Sequence, residues 1–339
     1  MIQENTYQLP KLYIDNKPID AKISGNIDFR GNNQLNNAKV FIANPDMQFD
    51  RLFNKPIKIF LNSDDPTPIF RGFIKNYTVD KNGININALD VRTILTGDEG
   101  NKINITDKDN FDGYTLGQFI HKYVTDNVNS SETTIGLNSL NDANPKILMN
   151  GVRAKNTVVY KIMTDAVSKG IDNTDIVEPL TFFIDVIEDG LNSNIVIIKE
   201  KSIDSVPSYS FSFTDGLQDI KFNRRNPANT VVYEGGSFKY GNRATGTINT
   251  SIKEVGDRAE NKRLALQQVL IEQQEKNEIS IDISKCYDIG LGSIIYIDVE
   301  DDDVRGNHRV QSKKISFGNK MSCKLTLNRK PVKISNYIQ

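Results

Sequence analysis

The chain of 339 residues is 38% hydrophobic and 25% charged, a globular composition with enough length for two or three domains. Its 42 basic and 43 acidic residues nearly cancel, which argues against a dedicated nucleic-acid binder. Two cysteines and two histidines are too few for a disulfide framework, for a four-ligand zinc site or for most histidine-based catalysis.

The N-terminal residues show no basic start followed by an apolar run, and no stretch approaches the roughly 20 apolar residues of a membrane span. We therefore expect a soluble chain that is made in the cytosol and does not insert into a membrane.

Alternating apolar residues predict β-strands through the first hundred residues. Strands are expected at 57–61, 70–74, 77–79 and 84–89. Residues 80–83 read Asp-Lys-Asn-Gly, and we expect the Asn-Gly pair to supply the positive φ angles of a short hairpin turn. The sequence predicts an all-β domain over residues 1–100.

Residues 101–211 predict helices as well as strands. Apolar spacing of three and four residues predicts a helix over 115–124, with His121 on its polar side. A second helix is expected over 157–169, capped by Asn156 and stopped by Gly170. Its predicted buried stripe is Val159, Ile162, Met163, Ala166 and Val167.

The rest of this middle region is expected to contain a loop and a hairpin. Residues 127–144 are polar and rich in turn formers, so they predict a loop. Strands at 181–186 and 194–199 are expected to flank a turn at 188–190. The middle region is therefore predicted to be an α+β insert.

The β pattern returns over residues 212–339, which predict a second β domain. Strands are expected at 230–233, 279–283, 293–299, 308–317 and 320–327. One long helix is expected over 257–276, because Asp257 and Glu260 have the spacing of a capping box.

The first and last β regions share an order of elements. In each, a strand is followed by an acidic loop, an Arg-Gly pair (Arg71-Gly72 and Arg305-Gly306), a long strand, a turn and a last strand. This order predicts a duplicated β-barrel split by the insert. The alternative is two unrelated meanders, since hairpins joined by short turns are common. With two similar domains per chain, a homotrimer would present six quasi-equivalent domains in a ring.

The chain resembles the phage baseplate (tail) hub proteins, whose relatives occur in contractile injection machines and tailed proviruses. Residues 70–74, 80–83 and 84–95 look like the first tail-tube-like barrel of that family, and 289–297 with 306–310 is similar to its closing barrel. The motifs are loose: spaced glycines and aspartates among alternating apolar residues.

The resemblance implies a non-enzymatic structural protein of the virion tail, assembled in the host cytoplasm. It implies a homotrimer that joins the hexameric tail tube to a central spike, contacts other baseplate proteins, and lets DNA pass without specific binding. It implies no catalytic residue, no cofactor and no metal. Two alternatives remain: a distal tail protein, which would form a hexameric ring, and a cell-wall hydrolase with paired carboxylates.

Residues with possible chemistry have simpler interpretations. His121 and His308 are expected to be surface histidines, and Cys286 and Cys323 buried small hydrophobes. Arg224-Arg225 is expected to be a surface pair, and the glycines at 235–236 lack the Lys-Ser/Thr partner of a phosphate loop.

The acidic run at 300–303 lacks the ligand spacing of a calcium loop and predicts a solvated hairpin tip. A second hypothesis for this run is that it faces a DNA channel and repels phosphate.

Overall fold

The molecule is known from a computed structural model. The structure describes residues 9–31, 33–43, 51–62, 64–96, 115–116, 118–119, 135–136, 158–169, 182–190, 192–199, 201–224, 230–233, 236–239, 247–249, 277–285, 288–301 and 304–327. Within these ranges, no helix is both long and apolar enough to span a membrane.

Most of the described residues lie in β-strands. The strands are β1 (Lys11–Ile14), β2 (Lys17–Pro18), β3 (Ile23–Arg30), β4 (Asn37–Ala43), β5 (Pro56–Phe60), β6 (Phe70–Asp80), β7 (Gly83–Asp90), β8 (Ile135–Gly136), β9 (Phe182–Asp189), β10 (Asn192–Lys199), β11 (Tyr209–Phe211), β12 (Leu217–Arg224), β13 (Thr230–Tyr233), β14 (Gly236–Lys239), β15 (Thr247–Asn249), β16 (Asn277–Ile283), β17 (Ile294–Ile297), β18 (Gly306–Phe317) and β19 (Ser322–Leu327). The helix α1 spans Val159–Lys169, and a 3-10 helix spans Val91–Thr96.

One large sheet connects the two ends of the chain. Its strands follow the order β12-β16-β19-β18-β3-β4-β7-β6-β5-β1-β2, with β17 and β11 branching from β18. Every pair along the main path is antiparallel, and the sheet curls into a half-barrel. The prediction of a mainly antiparallel β fold is confirmed.

The two halves of this sheet have the same strand order, but their last pairs differ, since β5 and β1 are antiparallel whereas β17 and β11 are parallel. The first half runs β3-β4-β7-β6-β5-β1, and the second runs β12-β16-β19-β18-β17-β11. Each long strand has a register shift at the matching place, between Ile74 and Asn76 in β6 and between Val310 and Ser312 in β18. The two halves meet where β18 pairs with β3.

These register shifts correct the alignment of the repeat. They match Phe70 with Gly306, so Arg71 corresponds to Asn307 and not to Arg305. The Arg-Gly pairs are therefore offset by two residues. The loop before β18, between the paired residues Ile297 and Gly306, is also shorter than the loop before β6, between Ile59 and Phe70.

A core of aliphatic side chains fills the inside of the curled sheet. Residues from both halves belong to one buried cluster, including Ile27, Ile86, Ile281 and Leu325, each at most 3% exposed. Full burial of one such side chain stabilises a fold by about 1.5–3 kcal/mol, so this cluster fixes which face of each strand points inward.

Two hairpin turns show where asparagine and glycine act. In the turn between β6 and β7, Asp80 Oδ1 accepts hydrogen bonds from the backbone N–H groups of Asn82 (2.7 Å) and Gly83 (3.1 Å). The positive φ of 152° falls on Gly83 alone, so the predicted hairpin is confirmed but its turn residues are Lys81 and Asn82. A turn that was not predicted joins β1 to β2 through Asp15 and Asn16, both with positive φ.

The insert contains the predicted hairpin as β9 and β10, paired along their whole length. The second predicted helix is α1, with Val159, Ile162 and Met163 buried as expected. Residues 135–136 correct the predicted loop, because they form β8 and pair in parallel with β10.

The start of the first predicted helix is described, with Thr115 and Gln118 forming reciprocal cap bonds of 2.9 and 3.2 Å. The predicted helix over 257–276 lies outside the described residues.

Candidate interaction surfaces and a buried ionic junction

The outward-facing residues of eight neighbouring strands form one polar surface, called the polar face below. These strands run from β12 to β6 along the sheet, and their outward residues alternate with core positions. The members used below are Asn26, Asp28, Arg30, Lys39, Asn76, Thr78, Asn85, Asn87, Asp219, Lys221, Asp282, Lys314, Ser316 and Lys324. The polar face crosses the β3–β18 boundary without interruption.

In the first half, the polar face is dominated by amides. Asn87 lies opposite Asn76 on one side and Lys39 on the other, and Lys39 lies opposite Asn26. This region surrounds a concavity of about 320 Å³. The Oδ1 atoms of Asn26 and Asn87 are buried without a hydrogen-bond partner. Amide side chains carry no net charge, so this region does not attract phosphate through charge.

At the β3–β18 boundary and in the second half, charges of opposite sign are neighbours on the polar face. Asp28 Oδ1 lies 3.7 Å from Lys314 Nζ, and Asp28 Oδ2 lies 3.8 Å from Arg30 Nη2. Asp282 lies opposite Lys324 in the register of β16 and β19. Because neighbouring charges compensate one another, the polar face presents no strong field of one sign to a polyanion.

Two strand edges border the polar face. Of β6, only Phe70 to Phe73 pairs with β5, whereas Asn76 to Asp80 pairs with β7 alone among the described strands. At the other border, β12 pairs with β16 alone in the part of the chain that the structure describes. Such edges present backbone groups that another strand is able to pair with.

A buried ionic cluster joins the first half of the large sheet to strand β9. Arg92, fully buried, donates to Asp90 Oδ2 at 2.6 Å and to the carbonyls of Ile184 and Gln34. Burial alone lowers the pKa of Arg92, but Asp90 outweighs it and raises the pKa above its ordinary value. Burial raises the pKa of the nearby carboxyl group of Asp185, which accepts a hydrogen bond from Asn36 Nδ2 at 3.3 Å.

A second ion pair lies beside this cluster. Arg71 Nη1 donates to Glu188 Oε2 at 3.0 Å, Arg71 Nη2 donates to the Gly190 carbonyl, and Ser193 Oγ donates to the same Glu188 oxygen at 2.8 Å. Desolvation raises the pKa of Glu188 to about 7, because burial outweighs the bonds from Ser193 and Arg71. Glu188 therefore titrates near neutral pH.

A cavity of about 430 Å³ lies between β3, the loop before β6, β9, the segment around Leu291 and β18. Asp185, Glu188 and Lys313 line it together with Phe29 and Leu291. Lys313 Nζ donates to the Ile289 carbonyl at 2.8 Å, and burial lowers its pKa to about 8. Raised carboxyl pKa values are typical of acid–base sites, but Asp185, Glu188 and Lys313 each hold hydrogen bonds between structural elements.

The residues singled out in the sequence do not meet at one site. His308 corrects the expectation of a surface histidine: it is 8% exposed, and its Nε2 lies 2.7 Å from the Val304 carbonyl. Cys323 is buried but disulfide-bonded, so it is more than a small hydrophobe. Among the described residues, no group of three His, Cys, Asp or Glu side chains is placed to hold a metal ion.

Several candidate residues lie outside the described ranges, namely His121, Cys286, Arg225, Gly235 and residues 302–303. Glu300 and Asp301 of the acidic run line a groove on the side of β12 that carries Ile220 and Phe222. That side is opposite to the polar face, so Glu300 and Asp301 do not contribute to the polar face.

No protein-family model matches the sequence, and no curated protein matches it. Comparison with solved structures gives matches over nearly the whole chain. The fold is similar to that of the tail protein from Neisseria meningitidis MC58, with 12% identity, a TM-score of 0.64, and coverage of 97% of this chain and 98% of that one.

Two further structures extend the likeness. A 43 kDa tail protein of prophage MuSo2 from Shewanella oneidensis has 9% identity and a TM-score of 0.66, covering 95% of this chain and 97% of that one. A type VI secretion system component from E. coli, described as similar to the phage T4 tail proteins gp27 and gp5, has 8% identity and a TM-score of 0.54, covering 95% and 77%. The resemblance to tail proteins is therefore confirmed at the level of the fold.

Proposed function

We propose that the chain is a structural baseplate hub of a phage tail or contractile injection machine. Three copies form a pseudo-six-fold ring that joins the hexameric tail tube to the central spike and encloses part of a channel for DNA or effectors. Residues 1–100 and 212–339 are its two tube-like barrels, and residues 101–211 are the insert. The chain acts through geometry, without a cofactor or an active site.

The observation that carries this proposal is the repeated topology within one continuous sheet. Each half contributes four strands to the polar face, in the same order. Because the eight strands alternate in direction, the two border strands run in opposite directions, so successive copies are able to pair antiparallel all the way round. Three copies would supply about 24 strands, arranged as six similar units of four strands around the ring.

The chemistry of the polar face suits the wall of such a channel. Its amides carry no net charge, and opposite charges are neighbours in the rest of the face, so we expect DNA to pass without specific binding. Arg92 and Arg71 hold the start of the proposed insert's hairpin through the Ile184 carbonyl and Glu188. We expect the insert to contact surrounding baseplate proteins.

The proposal is tested by solution mass and by co-assembly. Light scattering on a sizing column, with subunit concentration varied, should give a species of roughly 115 kDa, three times 38.2 kDa. The chain should also be retained by immobilised tail tube protein and by spike protein from the same gene cluster. A hexamer would favour the distal tail protein. A monomer that binds neither partner would overturn the proposal.

A further inference from the structure

Residues 76–80 of β6, which pair with β7 alone among the described strands, have a buried counterpart in the second half of the sheet. The register shifts match Val79 of β6 with Ile315 of β18. Ile315 is 1% exposed, whereas Val79 is 67% exposed. An apolar position that the fold buries in one half is therefore left in water in the other half.

The loop beside each long strand repeats the same contrast. In the first half, Asn54 N donates to the Ile74 carbonyl at 2.7 Å and has a φ of 60°. In the second half, Gly292 N donates to the Val310 carbonyl at 2.8 Å and has a φ of 74°. The two loops thus share one backbone structure.

The residues just before these positions are Phe53 and Leu291, and they differ in exposure. Leu291 is 6% exposed, but Phe53 is 59% exposed although its loop is held by the same hydrogen bonds. A rigid loop therefore holds a large aromatic ring in solvent. Isolated exposed apolar residues are common, but two on one strand edge, each with a buried counterpart, indicate a missing neighbour.

The neighbour present in the second half is β3. Ile315 lies opposite Ile27 of β3, and Leu291 lines the same cavity as Phe29 of β3. The strand that corresponds to β3 in the repeat is β12, since Phe222 lies opposite Ile279 as Ile27 lies opposite Ala38. Within one molecule β12 lies at the far border of the sheet.

We propose that β12 of a second copy pairs with residues 76–80 of β6, in the register that β3 adopts on β18. This register places Val79 opposite Phe222 and Asp80 opposite Lys221 of the second copy. The inference rests on the proposed ring and adds to it the contact and the register that join one copy to the next.

The chemistry of both edges fits this pairing. Ile220 and Phe222 are only partly buried and line a groove of about 750 Å³ with Phe213, which is 64% exposed. Val79 would face this groove, since it shares the core side of the sheet with them. On the polar face, the exposed Asp80 would meet Lys221, whose side chain is 70% exposed, so the pairing joins unlike charges.

Engineered cysteines test the register. Residues directly opposite one another on antiparallel strands lie within reach of a disulfide. A Val79→Cys, Phe222→Cys variant, mildly oxidised, should run as a covalent ladder up to the trimer on a denaturing gel. The matched control, Val79→Cys with Ile220→Cys, shifts the pair by two residues and should cross-link much less. A wild-type protein that assembles while the first pair stays uncrosslinked, or while the control cross-links better, would refute the inference and leave the ring standing.

Charge reversal gives a second test that does not depend on cysteines. Asp80→Lys and Lys221→Asp should each raise the concentration for half-assembly about tenfold, and the double variant should recover most of this loss. Phe53→Asp should weaken assembly similarly, whereas Val206→Asp, at a site 88% exposed and away from this edge, should not. Equal loss in the double variant would argue against the Asp80–Lys221 contact. If the wild type never assembles, the ring and this inference both fail.

Discussion

The two halves of the large sheet contact other segments of the chain at matching positions, but through different kinds of interaction. Arg71 of β6 forms an ion pair with Glu188 of the insert. At the corresponding place in β18, Asn307 Nδ2 donates to the carbonyl of Ile203 at 2.9 Å. Arg309 in the same strand also donates to a carbonyl, that of Lys201, at 2.9 Å.

The difference shows which features the repeat preserves. The strand order and the core register are kept in both halves, because they bury the aliphatic side chains. The contacts outside the core have diverged. At the first junction arginines pair with buried carboxylates, whereas at the second Asn307 and the buried Arg309 donate to neutral carbonyls. A buried charge that loses its partner costs far more than a carbonyl that loses a donor. The first junction should therefore be the more fragile one.

The largest expected effect follows from removing the buried cation of the first junction. Arg92→Met leaves Asp90 and Asp185 without their positive partner, and should destabilise the protein by about 3–5 kcal/mol. Urea denaturation followed by circular dichroism measures this, since the chain has no tryptophan. Arg30→Met, which removes a surface pair, is the matched control and should cost less than about 1 kcal/mol. Equal costs would mean that the buried cluster is not what holds the insert.

A pH-dependent effect of intermediate size should come from Glu188. Its folded pKa of about 7 lies above the ordinary value of 4.5, so the folded state binds its proton more tightly than the unfolded state. Stability from this group is present below about pH 4.5 and is lost as the pH rises to about 7, by about 3 kcal/mol. Glu188→Gln should flatten the stability profile between these pH values. An unchanged slope in the variant would show that other groups produce it.

The smallest effect is expected at the second junction. Asn307→Ala removes two hydrogen bonds, to the carbonyls of Ile203 and Ser205. The loss should be about 1–2 kcal/mol, and it should not vary between pH 5 and pH 7 because none of these groups titrates there. The same urea titrations at both pH values provide the measurement. A loss larger than that of Arg92→Met would reverse the contrast between the junctions.

The sequence predicted the elements that local patterns control. The hairpin of β9 and β10, the helix α1 and the strands β16 to β19 follow from alternation and capping residues that lie within a few positions of each other. The shared order of the two β regions was also visible, although the offset of two residues between Arg71 and its true counterpart was not.

The interactions between distant segments were beyond sequence reasoning. Arg92 reaches Ile184, 92 positions along the chain, and no spacing rule relates them. Tyr160 was left out of the predicted buried stripe of α1, yet its hydroxyl donates to the Asn33 carbonyl at 2.7 Å. His308 was predicted at the surface, because its position near the start of a strand gives no sign that its side chain is buried beside the Val304 carbonyl.

The hairpin that joins β6 to β7 and the matching hairpin that joins β18 to β19 differ in length. Between Asp80 and Gly83 only two residues intervene, whereas five intervene between Ser316 and Ser322. In a closed ring of three copies, the short and the long hairpins would alternate around one rim. The strands of the ring would repeat six times, but the hairpins at this rim would repeat only three times. A three-fold partner would therefore bind this rim in a defined orientation.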